Sequence, residues 1–331
     1  MTLDYRVAVT SDAFRFQPGL YDELRAHRFE PHPCEQVRPT TNPHELAKTL
    51  SGSWAVIAGV ERYNGSVFSA CPQLRVIARP GVGVDSIDLE AASRAGIAVC
   101  VTPGANAASV ADMTLTMMLA ATRRLIELDA STRSGGWRPS TLGSELSSAA
   151  IGLVGLGAIG RLVAQRLSGF GCVVRGADAT GVAVAGVELC SLADLLATSS
   201  VVSLHLPLTA STRHILGAPE FAQMRPGTVI INTSRGGLID ETALVAALES
   251  GIVGAAALDV FETEPPLVDS PLLKHSNVTL SPHLAGFTVE SVSSMGRESI
   301  ANLVDIRAGR VTERCVNRIT LQSLSSEMTS Q

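Results

Sequence analysis

Ile151-Gly-Leu-Val-Gly155-Leu-Gly157-Ala-Ile-Gly160-Arg-Leu-Val-Ala164 decides how this 331-residue chain is read. The run begins as a continuous apolar stretch, the pattern of a strand buried on both faces. It turns through glycines spaced G-x-G-x-x-G. It then continues with Ile159, Leu162, Val163, Leu167 and Phe170 at helical spacing. The glycine pattern alone is a weak signal, but between a strand and an amphipathic helix it has physical content. Gly155 permits the tight turn, Gly157 lets the backbone approach a pyrophosphate, and Gly160 lets the helix lie close to the strand. Free N–H groups and the positive end of the helix dipole then face an anion. Asp178 closes the next apolar run, Cys172–Ala177, 18 residues after Gly160. Its carboxylate suits ribose hydroxyls and repels a 2′-phosphate, and no Arg or Lys follows before Thr180. The stretch therefore predicts a dinucleotide site for NAD rather than NADP.

Outward from it, similar runs recur with helical segments between them. Arg6–Thr10, Trp54–Ala58, Leu74–Arg79 and Ile97–Val101 form one series. Ala150–Val154, Cys172–Ala177, Val201–Leu206, Thr228–Asn232, Gly254–Leu258 and Asn277–Leu280 form a second. Strand alternating with helix predicts an α/β fold with doubly wound parallel sheets. A long helix over Asn106–Arg124, rich in Met, Leu and Ala, separates the series, and another is expected over Val289–Arg307. Asp240 and Gly251 suit the two ends of a helix through Leu244, Ala247 and Leu248. The reading gives two Rossmann-like domains, the first discontinuous. Residues 1–100 with 289–331 make one, and 101–288 make the dinucleotide-binding one. The Ser-rich tail from Gln322 is expected to fray.

Composition narrows the function. Net charge is −5, from 26 Lys plus Arg against 31 Asp plus Glu, which gives no general footprint for nucleic acid. The longest apolar run, Ala149–Gly160, is too short to span a bilayer. Asp4 interrupts the N-terminus before any apolar signal core forms. Six scattered cysteines with no C-x-x-C fit free thiols in a reducing cytoplasm. No close His/Cys grouping suggests a metal.

Ligands of open α/β sheets sit outside the carboxyl ends of the strands. Three polar groups follow strands of the second series: Arg235, Glu264 and His283. Arg235 can fork onto a carboxylate and a carbonyl. His283 can give a proton to a carbonyl oxygen and take it back. Glu264 can orient that imidazole and favour its protonated form. Each alone reads better as a surface or loop residue. Together with the phosphate turn they suit hydride transfer at a 2-oxo or 2-hydroxy acid.

From about Trp54 to Arg307 the chain resembles the D-isomer-specific 2-hydroxyacid dehydrogenase family, in its phosphoglycerate dehydrogenase and hydroxypyruvate reductase branch. The motifs that carry the likeness are Arg79-Pro-Gly81-Val-Gly83-Val-Asp85, Thr102-Pro-Gly104-Ala-Asn106, the glycine turn and His205-Leu-Pro207-Leu-Thr209. Asn232-Thr-Ser-Arg235-Gly-Gly, Asp259-Val-Phe-Glu-Thr-Glu264-Pro and Ser281-Pro-His283 follow in family order. The resemblance implies that Arg235, Glu264 and His283 are catalytic. It places the substrate carboxylate on the backbone of Val82 and Gly83, beside Arg235 and His283. It assigns the nicotinamide carboxamide to Asp259, and the pyrophosphate and adenosine ribose to Ala158, Ile159 and Asp178. Leu206, Pro207, Thr233, Ser234 and Gly286 line the cofactor cleft. It also implies a homodimer through the long helix. Ser86 and Asp112 stand where the family more often has Asn and Glu, which puts a local helix contact of Asp112 in doubt. The short tail leaves no room for a C-terminal regulatory domain.

Two other functions fit the same fold. A non-enzymatic NAD-sensing corepressor would bind cofactor and oxidise nothing, but the intact catalytic set argues against it. Phosphite oxidation is the second alternative. His205, inside an apolar strand, reads as a satisfied core histidine, and Arg62 and Arg138 read as surface residues.

Overall fold

The computed structural model describes residues 5–38, 40–137, 142–310 and 312–317. The chain forms two compact units, Met1–Asn106 with Phe287–Gln331, and Ala107–Gly286. The first break falls six residues after the expected one at 100/101, and the second falls two residues before the expected one at 288/289. Thr102 explains the first shift, because it stays tied to the first unit. Its N–H donates to Gly81 O at 2.9 Å, and its hydroxyl accepts from Gly81 N at 2.7 Å. The tail expected to fray lies outside the described residues, as does Arg138.

In the first unit, β1 (Tyr5–Val9), β2 (Phe29–Pro33), β3 (Ala55–Ile57), β4 (Val76–Ala78) and β5 (Ala98–Cys100) form one parallel sheet in the order β2-β1-β3-β4-β5. Alternation along each strand divides the core in two. Val7, Val9, Ala55 and Ile57 pack on one face with Leu303 of the helix Val289–Arg307. Ala8 and Val56 pack on the other with Leu46 and Phe68. Sequence reading missed β2, whose Pro31 and Pro33 argue against a central strand; prolines are tolerated at an edge, where this strand lies.

In the second unit, β6 (Ala150–Val154), β7 (Val173–Ala177), β8 (Glu188–Leu189), β9 (Val201–Leu204), β10 (Thr228–Asn232), β11 (Val253–Leu258) and β12 (Val278–Leu280) pair in parallel. Their order is β12-β11-β10-β9-β6-β7-β8. Ile151, Leu153 and Ile231 face one core and Val202, Ile230 and Leu258 the other, so both faces are covered. The missed β8 is an exposed two-residue edge strand, too short to show a pattern. The long helix runs over Ala107–Thr122 and stops at Arg124, which adopts φ +54°; a second helix, Leu125–Arg133, then begins. Asp112 does make a helix contact, an ion pair to Arg166 Nε at 2.5 Å. Among the described residues no helix is long and apolar enough to cross a membrane.

Candidate active site

The second sheet reverses its order between β6 and β9, which leaves a crevice at their carboxyl ends. The glycine turn occupies it. Gly155 has φ +98°, and a Cβ there would lie 2.7 Å from His205 O. A Cβ at Gly160 would lie 2.2 Å from Gly155 O, so the helix Ala158–Leu167 approaches the turn only without a side chain there. At Gly157, by contrast, a Cβ would meet nothing within 4 Å, so the space above the helix N-terminus is open. The sequence thus packs the turn tightly beneath and clears it above, a cradle that fits a pyrophosphate.

Asp178 follows β7 at the same edge. Its Oδ2 accepts from Leu156 N at 2.7 Å, and its Oδ1 accepts from Thr180 N at 2.8 Å and Thr180 Oγ1 at 2.5 Å. The Thr180 hydroxyl and the two N–H groups hold its carboxyl below the usual carboxylate range, despite some burial. Sequence reading found Asp178 but not Thr180, which fixes its direction. Asp178→Ala is expected to narrow the preference for NADH over NADPH, measured as the ratio of their affinities. Because the acid stays ionised, the wild-type preference is expected to be flat from about pH 5 to 8. A wild type that prefers NADPH would refute this role.

The catalytic candidates follow β10, β11 and β12, adjacent strands of the sheet. After β10, Asn232 organises the turn: its Nδ2 donates to Arg235 O at 2.9 Å and its Oδ1 accepts from Ser234 N at 3.1 Å. Ser234 Oγ donates to Leu206 O at 2.6 Å, joining the turn to the loop after β9. The buried hydroxyl of Thr233 lies 2.8 Å from that of Thr114. Gly236 is packed against the loop after β11, where a Cβ would fall 1.9 Å from Phe261 C. Arg235 is thereby brought beside the loop that carries Glu264.

Glu264 Oε2 lies 2.7 Å from His283 Nδ1, and its Oε1 accepts from Phe261 N at 3.1 Å. Burial pushes this carboxyl up. The His283 hydrogen bond and charge, the Phe261 N–H and the Arg235 guanidinium outweigh that, and the net shift is below the ordinary glutamate value. His283 itself has φ +57°, a left-handed conformation uncommon outside glycine. Asp259 maintains it. This fully buried residue accepts His283 N on its carbonyl at 2.7 Å, and its carboxylate accepts Leu284 N at 2.9 Å and Ala285 N at 2.8 Å. That orienting contact was not legible in the sequence, which suggested a cofactor contact alone.

Other residues settle less simply. His205 is only half satisfied: Nε2 lies 3.0 Å from Ser203 Oγ, while Nδ1 is buried without a partner. Burial pulls its pKa down to about 4, so the ring is neutral at neutral pH. His214 Nε2 lies 2.5 Å from Oε1 of Glu262, on the loop that carries Glu264. Arg62 is exposed. Val82 and Gly83 belong to the first unit, on the loop after β4.

A glycine turn at a sheet reversal, an acid at the next strand end, and a carboxylate–imidazole pair beside an arginine define a dinucleotide-binding α/β protein with an acid–base site. The comparisons agree. Residues 115–285 match the family model "D-isomer specific 2-hydroxyacid dehydrogenase, NAD binding domain". The chain is 36% identical over 329 residues to a glyoxylate reductase of Aeropyrum pernix, covering 95% of this chain and 96% of that one. It is 40% identical over 277 residues to D-3-phosphoglycerate dehydrogenase of Mycobacterium leprae, covering 82% of this chain and 52% of the relative. It thus spans about half the length of the phosphoglycerate dehydrogenases it matches. The crystal structure of a glyoxylate reductase from Paecilomyes thermophila superposes with a TM-score of 0.82 at 31% identity, over 95% of this chain and 99% of that one. The chain belongs to the D-isomer-specific 2-hydroxyacid dehydrogenase family, and its second unit carries the family's NAD-binding domain.

Proposed function

We propose that the protein is an NAD-dependent oxidoreductase that interconverts a D-2-hydroxy acid and its 2-oxo acid. The observation that carries this reading is the 2.7 Å contact between His283 Nδ1 and Glu264 Oε2, with the charge of Arg235 acting on the same carboxylate. Ala158 and Ile159, at the open N-terminus of their helix, hold the pyrophosphate, and Asp178 holds the adenosine ribose. Leu206, Pro207, Thr233, Ser234 and Gly286 line the remaining length of the cofactor, and the fully buried Asp259 supports the turn beside them instead of touching it. Bound there, NAD supplies or accepts the hydride.

The chain's own groups do the rest. Glu264 fixes the imidazole by Nδ1, which leaves Nε2 on the opposite ring edge to give a proton to the carbonyl oxygen during reduction. In oxidation Nε2 takes the hydroxyl proton back. Arg235 forks onto the carboxylate and carbonyl of the acid, polarising the bond that is reduced. The backbone N–H groups of Val82 and Gly83 are assigned to the substrate carboxylate by the family resemblance.

Small 2-oxo acids such as glyoxylate, hydroxypyruvate and 3-phosphohydroxypyruvate are the candidate substrates, a choice in line with the glyoxylate reductase and phosphoglycerate dehydrogenase among the relatives. A homodimer in the cytoplasm completes the reading. Leu119, Leu125 and Ile126 expose apolar surface at the long helix and its successor. The test is NADH consumption with these three acids and pyruvate, ranked by kcat/KM. The reading expects turnover of at least one. Tight NADH binding with no turnover of any would favour the sensing alternative.

A further inference from the structure

The first sheet also reverses its order, between β1 and β3, and open α/β sheets leave a crevice at such a point. Here the protein fills part of that position with its own polar side chains. Glu61, only 2% exposed, follows β3. Its Oε1 accepts from the Tyr63 hydroxyl at 2.5 Å, from Gly59 N at 3.1 Å, and from the Thr10 hydroxyl. Thr10 Oγ1 also accepts from Gly59 N at 3.0 Å. A Cβ at Gly59 would lie 2.5 Å from Glu61 Oε2 and 3.0 Å from Thr10 O, so the carboxylate fits only beside a glycine. Burial, then the charge and hydrogen bond of Glu61, push the Tyr63 hydroxyl well up, which keeps it a donor.

Arg79 extends this network to the loop after β4. Its Nη1 donates to Ala58 O at 3.1 Å and to Gly59 O, and its Nε donates to Gly83 O at 3.2 Å. The same loop is pinned at Gly81 by Thr102, whose hydroxyl accepts from Gly81 N at 2.7 Å. One planar guanidinium therefore spans from the end of β3 to Gly83, a reach that needs donors in a rigid fork. A carboxylate buried as deeply as Glu61 is costly unless hydrogen-bonded, and the bonds that satisfy it also fix its partners. What it fixes is the Ala58–Gly59 backbone on which Arg79 rests.

We propose that Glu61 and Arg79 are positioning residues that hold the Val82–Gly83 backbone in the geometry that receives the substrate carboxylate. This rests on the reading of that loop given under the proposed function. Neither residue is asked to touch the reacting atoms. Their effect falls on substrate binding, not on cofactor binding or the proton transfer.

The test is a KM-against-kcat separation in Arg79→Lys, Glu61→Gln and Tyr63→Phe, using the best 2-oxo acid of the wild type. Arg79→Lys keeps the charge but cannot span Ala58, Gly59 and Gly83 together. Its KM for the acid is expected to rise about 10–100-fold, the scale of one charge-assisted hydrogen bond. NADH affinity, read by fluorescence, and kcat are expected to stay at wild-type values, the signature of lost uniform binding. Glu61→Gln and Tyr63→Phe are expected to raise KM less, in the same direction. Tyr63→Phe removes one hydroxyl, and it decides the matter if the other variants fail to fold. An unmoved KM in the folded variants overturns the inference and leaves the proposed function standing. So does a parallel fall in kcat and NADH affinity, which marks general loss of structure. A wild type that turns over no 2-oxo acid defeats the functional reading, and the inference with it.

Discussion

His283→Ala is expected to lower kcat for reduction of the 2-oxo acid by about 10²–10⁴-fold, the usual contribution of a positioned general acid. NADH affinity, measured by fluorescence titration, is expected to remain. The argument is local. The imidazole is held by Glu264 at 2.7 Å, and the left-handed turn that presents it is held through backbone contacts to Asp259. Alanine bears the same left-handed backbone as histidine and keeps those backbone contacts, so the turn survives. What disappears is the proton donor. Unchanged turnover in this variant would remove the acid–base assignment altogether.

Arg235→Gln is expected to reduce kcat/KM for the acid by about 10²–10³-fold, the scale of two charge-assisted hydrogen bonds made by one fork. NADH affinity is again expected to hold. Arg235→Lys is expected to recover little, because a point charge cannot reproduce bidentate geometry. The structure supports a fixed guanidinium: Nη1 donates to Ser234 O at 2.7 Å, and Asn232 shapes the turn beneath it. Steady-state kinetics with the acid varied at saturating NADH separates the outcomes. A loss confined to NADH binding would move Arg235 out of the substrate site.

Much of this was legible in the sequence where local pattern carries the information. Ala150–Val154 and Thr228–Asn232 are continuous apolar runs, and they are the strands β6 and β10. Asp240 caps its helix by accepting from Ala243 N at 3.0 Å, and Gly251 follows the helix end with φ +75°. The helix Val289–Arg307 has the bounds its periodicity predicts. Two of the four edge strands escaped, because β2 contains prolines and β8 is two residues long. In the candidate site, Arg235, Glu264, His283 and Asp178 stand out because each follows a strand of one sheet. Their supports do not. Thr180 is an ordinary turn residue in the sequence, and nothing local reports that the carboxylate of Asp259 caps residues 25 and 26 positions later. Glu61 and Arg79 meet at the backbone of the loop after β3, a contact that the sheet order creates and composition does not record. The net charge of −5 likewise conceals the site, since in the proposed function local donors rather than overall charge would receive the two anions.

The central claim is hydride exchange between NAD and carbon 2 of a D-2-hydroxy acid. It is tested most directly by supplying the D and L enantiomers of the preferred chiral hydroxy acid separately, each deuterated at carbon 2, with NAD. The account predicts deuterium in the reduced nicotinamide ring from the D enantiomer alone. Deuterium from the L enantiomer, or from neither, would contradict it.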